Sequence, residues 1–242
     1  MTDAATPTTT EATEIPEPTG PTAAIILAGG RASRLGGTAK PLLEVGGRTL
    51  LDRAISAVDG CEPIVVVGPQ SSTRIRVVWT RETPDFGGPV AGIVRGLALV
   101  DTAEVMLLAA DLPHAESAVA LLRQHPSLPD GPDGADGAGG SDGAIRADGV
   151  CLTDDAGRMQ WLAGRYRTAA LRASAAALPD GGRDASMRSL LAHLSIAAIP
   201  AGALAADVDT WDDLERAHAT ASTPRATAST PPRGSARHEE MT

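Results

Sequence analysis

Asparagine is absent from this 242-residue chain, and lysine occurs once, at Lys40, so every other member of the 21 Lys and Arg residues is arginine. Aromatic residues make up 2%, too few for a platform on which successive bases stack. The formal charge is −9, which leaves no general basic surface to attract nucleic acid or anionic lipid, and neither is expected as a partner. No apolar run approaches the ~20 residues of a membrane span, and the first residues have neither the basic region nor the apolar core of a signal peptide. A cytoplasmic location is expected. Cys61 and Cys151 are the only cysteines, and they suggest neither a disulfide framework nor a thiolate metal site.

What is present is enough hydrophobic content, 43%, to bury one good core. Residues 1–21 are Thr, Ala, Glu and Pro with almost nothing to bury, and 221–242 are similarly low in complexity, so both are expected to be disordered tails around a domain at 22–220. A run of Asp, Gly, Pro, Ala and Ser at 127–143 reads as a flexible surface insertion. Its acids (Asp130, Asp133, Asp136, Asp142) lack the spacing and closing Glu of a calcium loop.

Within the domain, short buried apolar runs alternate with helical patterns. Ala23–Leu27, Ile64–Val67 and Val105–Ala110 read as buried strands, and Ile75–Trp79 as a shorter one. Helices are predicted at Thr49–Val58, Val90–Val100 with Pro89 in the first turn, Ala115–His125, Arg167–Leu178, Ala185–Leu194 and Trp211–Ala219, the last with Thr210 as N-cap. Val150–Thr153 and Met159–Leu162 flank Asp154-Asp155-Ala156-Gly157, a hairpin signal, and Ser195–Ile199 reads as a final strand. The alternation predicts a Rossmann-like, three-layer α/β domain whose sheet is mostly parallel and made mixed by the hairpin.

The most informative stretch follows the first strand. Gly29, Gly30, Gly36 and Gly37 punctuate a loop that also carries Arg31, Arg34 and Lys40. Glycines let main-chain N–H groups approach an anion closely, and the cations add charge around it. The loop has the spacing of neither a Walker A motif nor G-x-G-x-x-G. A lone lysine closing it, where all else basic is arginine, suggests chemistry that requires an ammonium. In an open α/β sheet, ligands bind outside the carboxyl ends of the strands, which brings Asp111 to the same rim. Asp111 is the leading candidate for a Mg²⁺ ligand, with a second acid from Asp207 or Asp209, because magnesium takes one or two carboxylates plus substrate oxygens. The alternative role for Asp111 is a cap or turn-former before the helix that follows Pro113. Ser33 has no partnered histidine, and the five histidines have no ligand spacing.

Leu27-Ala28-Gly29-Gly30, Arg34, Gly36, Lys40, Gly88-Pro89-x-Ala91-Gly92, Asp111-x-Pro113 and Asp209-Thr210-x-x-Asp213-Leu214 together resemble the molybdenum cofactor guanylyltransferase (MobA-like NTP transferase) family. The resemblance implies a Mg²⁺-dependent enzyme that transfers GMP from GTP to a phosphorylated pterin, with a molybdoenzyme or cofactor-delivery protein as possible partner. It implies nucleotide contacts from Leu27, Ala28, Gly29, Gly30, Lys40, Gly68, Glu82 and Asp111, catalytic roles for Lys40, Arg34 and Asp111, and metal ligation by Asp111 and Asp209. The chain departs from the family at Ala39, where Asp is frequent, at Gly68, where Asn is frequent, and at Asp207-Val208-Asp209, where the family has Asn-x-Asn. Cytidylyl or adenylyl transfer, another phosphorylated acceptor, and a silent nucleotide-binding partner of molybdoenzymes stay open as alternatives.

Overall fold

The structure, a computed structural model, describes residues 22–29, 39–126, 128, 147–208 and 210–221. The expected tails and the 127–143 insertion fall outside the described residues, Leu128 and Ala221 apart. The strands are β1 (Thr22–Leu27), β2 (Glu44–Val45), β3 (Arg48–Thr49), β4 (Ile64–Val67), β5 (Val78–Thr80), β6 (Glu104–Ala109), β7 (Gly149–Thr153), β8 (Met159–Arg167) and β9 (Ile196–Pro200). The helices are α1 (Leu50–Ala57), α2 (Gly88–Leu97), α3 (Ala115–Gln124), α4 (Thr168–Ala176), α5 (Met187–Leu191) and α6 (Trp211–Ala221).

Seven strands form one sheet in the order β5-β4-β1-β6-β8-β7-β9. β5, β4, β1 and β6 run parallel, β8 is antiparallel to both β6 and β7, and β9 lies parallel to β7. This is the mixed, mostly parallel sheet expected from the alternation of runs. Its three layers follow from the period of two along a strand. Ala24 and Ile26 of β1 face a core built with α1 and α3, through Leu51, Ile55, Val119 and Leu122. Ala23 and Ile25 face the opposite core, built with α2, α4 and α5, through Ile93, Leu97, Leu171 and Leu190. Because both faces are covered, the strand must be apolar at every position, which is why β1 and β4 read as continuous runs. Gly96 admits α2 against β1: a Cβ there would lie 2.8 Å from Ile25 Cγ2.

Several boundaries move from their expected positions, three of them for a plain physical reason. The edge strand spans Val78–Thr80 and not Ile75–Trp79, because β4 offers partners only from Val65 to Val67. The helix expected from Ala185 starts at Met187: Asp184 has φ 56, outside helical space, and Ser186 caps by accepting the N–H of Ser189 at 3.1 Å. β8 continues to Arg167, since Tyr166 fits fully buried where Gly149 and Gly164 have no side chain; a Cβ on either would approach its ring within 2.4 and 2.7 Å. The Tyr166 hydroxyl donates to Trp161 O at 2.7 Å, near the irregular register where β7 and β8 slip between Cys151 and Leu152.

Among the described residues one charged pair is buried. Arg165 Nε lies 3.3 Å from Glu104 Oε2, with side chains 2% and 9% exposed. Glu104 Oε1 accepts the N–H of Leu128 at 2.6 Å, and Arg165 donates to the carbonyls of His125 and Pro126 at 2.8 and 2.5 Å. The pair thus ties the end of α3 and Leu128 to the sheet.

Candidate active site

The parallel strands end together. Leu27 stands level with Val67 on one side and Ala109 on the other, so the segments after β1, β4 and β6 emerge on one rim. Main-chain bonds hold this rim: Ala28 N–H donates to Val67 O at 2.8 Å, Gly68 N–H to Thr80 O at 3.0 Å, and Ala110 N–H to Leu27 O at 3.0 Å. Gly68 acts by what it lacks. A Cβ at this position would lie 2.8 Å from the carbonyl carbon of Ala28 and 3.1 Å from Gly29 N, so only glycine lets the end of β4 approach the segment that follows β1.

Lys40 opens a short 3₁₀ turn, Lys40–Leu42, with Pro41 in its first positions. Its Nζ lies 3.9 Å from Asp111 Oδ2, with both side chains about one-fifth exposed, at 19% and 23%. The arm that carries it is anchored by the β2–β3 hairpin: Arg53 grips Val45 O through two nitrogens at 3.2 and 2.6 Å. Arg48 and Arg53 both reach Glu116 of α3, at 3.0 and 3.6 Å. Asp111 lies one turn before α3 but does not cap it, since the N-cap residue is His114. Asp111 borders the cleft with its carboxylate beside Lys40, and burial together with the charge of Arg53 lowers the pKa of neighbouring His114. The carbonyl of Asp111 accepts the N–H of Val208 at 3.1 Å, tying the segment before α6 to the same loop. Thr210 caps α6 as expected: its hydroxyl accepts the N–H of Asp213, and Asp213 Oδ2 accepts the N–H of Thr210 at 2.7 Å.

Two adjoining cavities open on this rim. The larger, about 290 Å³, is bordered by Glu82, Gly88, Pro89, Gly92 and Leu162. The smaller, about 200 Å³, is bordered by Ala28, Ala39, Lys40, Pro69 and Arg81. Leu27, Gly29, Phe86 and Asp111 border both. Of the residues predicted from the sequence, Leu27, Ala28, Gly29, Lys40, Glu82 and Asp111 therefore meet here, and Gly68 shapes the wall. Gly30, Arg34 and Asp209 lie outside the described residues, and Asp207 is exposed. Phe86 and Arg81 were not foreseen; both lie in the segment between β5 and α2.

The donor set suits a magnesium ion that shares its coordination with substrate. Among the described residues no three His, Cys, Asp or Glu side chains gather to hold a metal, so an all-protein cage is not formed there. Asp111 borders both cavities beside Gly29 and Lys40, and magnesium is commonly bound by one or two carboxylates together with phosphate oxygens. Among the described residues no helix is long and apolar enough to cross a membrane.

Comparison with known proteins agrees with this architecture. A molybdenum cofactor guanylyltransferase of Bradyrhizobium sp. (strain ORS 278) is 34% identical over 110 residues, covering 43% of this chain and 48% of that protein. One of Nitrobacter hamburgensis is 36% identical over 103 residues, covering 38% and 49%. The chain thus spans about half the length of the curated relatives it matches. Among solved structures, molybdopterin-guanine dinucleotide biosynthesis protein A from Archaeoglobus fulgidus superposes with a TM-score of 0.54 at 18% identity, covering 81% of this chain and 97% of that one. The 2-C-methyl-D-erythritol 4-phosphate cytidylyltransferase from Thermus thermophilus gives the same score, identity and coverage, so the fold is shared with proteins named for different acceptors. The MobA-like NTP transferase domain matches residues 24–198, and the chain belongs to that family.

Proposed function

We propose that this protein transfers GMP from GTP to the phosphate of a molybdopterin, releasing pyrophosphate, in a reaction that depends on Mg²⁺. The observation that carries the proposal is the convergence of Lys40 and Asp111, 3.9 Å apart, on two cavities that together offer a cationic end and an end bordered by Glu82. The main chain at Gly29 and Gly30 and the ammonium of Lys40 hold the triphosphate, and Arg34 adds charge to it. Glu82 offers a carboxylate to the base, whose guanine edge presents N–H donors that an ionised carboxylate accepts. Asp111, with Asp209, would hold Mg²⁺, which when bound supplies charge neutralisation across the phosphates.

An oxygen of the acceptor's phosphate attacks the α-phosphorus; the bond from that phosphorus to the bridging oxygen breaks, and pyrophosphate carries away the electron pair. The attacking oxygen is already anionic, so no side chain has to remove a proton. The chain's own contribution is to align donor and acceptor and to face the developing charge with main-chain N–H groups, Lys40 and Arg34. The names of the curated relatives favour GTP and a molybdenum cofactor acceptor. The product would then pass to a molybdoenzyme or a delivery protein.

The test offers GTP, CTP, ATP and UTP in turn, with Mg²⁺ and molybdopterin, and identifies the dinucleotide by mass. A guanine dinucleotide with one pyrophosphate released per turnover is expected, and Asp111→Asn should abolish it while leaving the fold intact. Formation of a cytosine or adenine dinucleotide instead would replace the base assignment, and no product with any nucleotide would overturn the enzymatic reading.

A further inference from the structure

Phe86 is the only phenylalanine in the chain, and it does not belong to the core. It is 51% exposed, and its φ of 65 lies in the left-handed region that a bulky residue rarely occupies. Such a conformation persists where the surroundings over-determine it, and such positions cluster at ligand sites. Here they do constrain it. The N–H of Phe86 donates to Glu82 Oε1 at 3.2 Å, and Arg81 pairs with Asp85 at 3.0 Å within the same loop. On the other flank, Gly87 O accepts the N–H of Asp184 at 2.7 Å. Gly87 is buried, and a Cβ there would stand 3.0 Å from Ala91 Cβ. The loop is thus fixed before and after Phe86, and Phe86 borders both cavities, the one that contains Glu82 and the one that contains Lys40.

We propose that Phe86 is the surface on which the nucleobase of the bound nucleoside triphosphate stacks. The inference rests on the nucleotide reading above and adds a division of labour to it. A triphosphate held at Lys40 leaves its nucleoside to cross from the smaller cavity toward the larger, past the one side chain with an aromatic face that borders both. Stacking is indifferent to base identity, because every base has a π-face. Selection among bases therefore falls to Glu82, whose carboxylate is oriented by the main-chain N–H of Phe86 itself. Binding energy and base choice thus come from neighbouring residues of one loop, through different contacts.

The experiment measures equilibrium binding of GTP, ATP and inorganic tripolyphosphate, each with Mg²⁺, to the full chain and to Phe86→Ala, Phe86→Leu and Phe86→Trp. Loss of a stacked base by alanine substitution corresponds to about tenfold weaker binding. Phe86→Ala should lose about that factor for GTP and ATP alike, with tripolyphosphate affinity and the melting temperature of the nucleotide-free protein unchanged. Phe86→Trp should bind nucleotides like the parent, and Phe86→Leu, which keeps apolar bulk without the ring, should fall between. Equal weakening of tripolyphosphate would show that the residue only shapes the loop and would overturn the proposal, as would nucleotide affinity within twofold of the parent in Phe86→Ala. A variant that binds nucleotides normally but loses affinity for the pterin acceptor would overturn it in favour of the other substrate. A parent that binds tripolyphosphate but no nucleotide would overturn the nucleotide reading itself, a failure distinct from normal nucleotide binding by Phe86→Ala.

Discussion

Lys40, in the 3₁₀ turn ahead of β2, and Asp111, just past the end of β6, face each other at 3.9 Å. At that distance, with part of each side chain in water, the pair contributes little to folding. Its cost is the ordering of a long side chain, and its result is a cation and a carboxylate side by side on one rim. What fixes them is the scaffolding behind. Arg53 locks the hairpin that follows Lys40, Glu116 gathers Arg48 and Arg53 against α3, and Val208 braces the carbonyl of Asp111.

Replacing Lys40 by Arg keeps the charge and changes its shape. Lysine is a compact charge on a flexible stem, and the guanidinium is a wider planar fork. Beside Ala28, Gly29 and Asp111 the fork would displace either the loop or a phosphate, and misplacement by about 1 Å costs ~100-fold in rate. The expected outcome is a fall in kcat of that order with the melting temperature of the nucleotide-free protein unchanged. Steady-state kinetics on the purified variant decide it; a rate within threefold of the parent would mean that any cation suffices.

Gly68→Ala acts through the fold and the site together. Its Cβ would meet Ala28 C and O at 2.8 and 2.9 Å and Gly29 N at 3.1 Å, all main-chain atoms that cannot rotate away. Overpacking of this kind costs about 1–3 kcal/mol, read as a lower urea midpoint. The displaced segment walls the smaller cavity, so nucleotide affinity should fall as well. Gly157→Ala is the control: Gly157 also has positive φ, at 72, but no atom would stand within 4 Å of its Cβ, so it carries the backbone cost without the clash and should leave nucleotide binding intact.

The frame was legible because burial on both faces leaves a simple trace. β1, β4 and β6 are short apolar runs, and the rule that ligands sit at strand carboxyl ends brought Lys40 and Asp111 together before any coordinates. What escaped depends on geometry that composition does not encode. Ile75 to Trp79 alternates like a strand, yet pairing is limited to the stretch that β4 presents. Asp184 blocks a helix start by a left-handed backbone that nothing in the local pattern requires. Phe86 sits in a Pro-Asp-Phe-Gly-Gly segment with no local signal of a site, and only the closing of the chain sets it beside two cavities. Arg165 lies beyond the strand expected at Met159–Leu162, and only the longer β8 brings it to Glu104, far away in sequence, in the interior.

Alkaline pH should weaken the fold through Cys151. Burial raises its thiol from the ordinary 9.0 to about 11. The folded chain keeps this proton where the unfolded chain has released it, so between those two pH values the native state binds more protons and stability falls as pH rises. Below the lower value the contribution is fully present. The buried Tyr166 hydroxyl, pushed well above its ordinary value by burial, adds to the same trend. Urea unfolding followed across that window should show a decline with a slope of up to ~1.4 kcal/mol per pH unit per group, and Cys151→Ala should flatten part of it. A stability independent of pH across the window would mean that the thiol is hydrated in the native state.

The buried pair of Glu104 and Arg165 gives the sharpest test of the frame. Their facing atoms are 3.3 Å apart yet misaligned for a hydrogen bond, so the contact is one of charge, while directed bonds go to Leu128, His125 and Pro126. Glu104→Ala leaves a guanidinium in the interior without its counter-charge and frees the N–H of Leu128. Breaking a buried pair on one side costs about 3–5 kcal/mol, and urea denaturation should show a loss of that size. The double replacement Glu104→Leu with Arg165→Met removes both charges for apolar groups of similar bulk, a change that is commonly neutral or stabilising. Recovery here should be incomplete, because the carbonyls of half-buried His125 and exposed Pro126 lose a charged donor, and a hydrogen bond to a charged group contributes about 1.5–3 kcal/mol, less where water can take the donor's place. The double variant should therefore lie between Glu104→Ala and the parent. A double variant no more stable than Glu104→Ala would mean that the directed bonds to the end of α3, and not the pairing of charges, hold this part of the sheet.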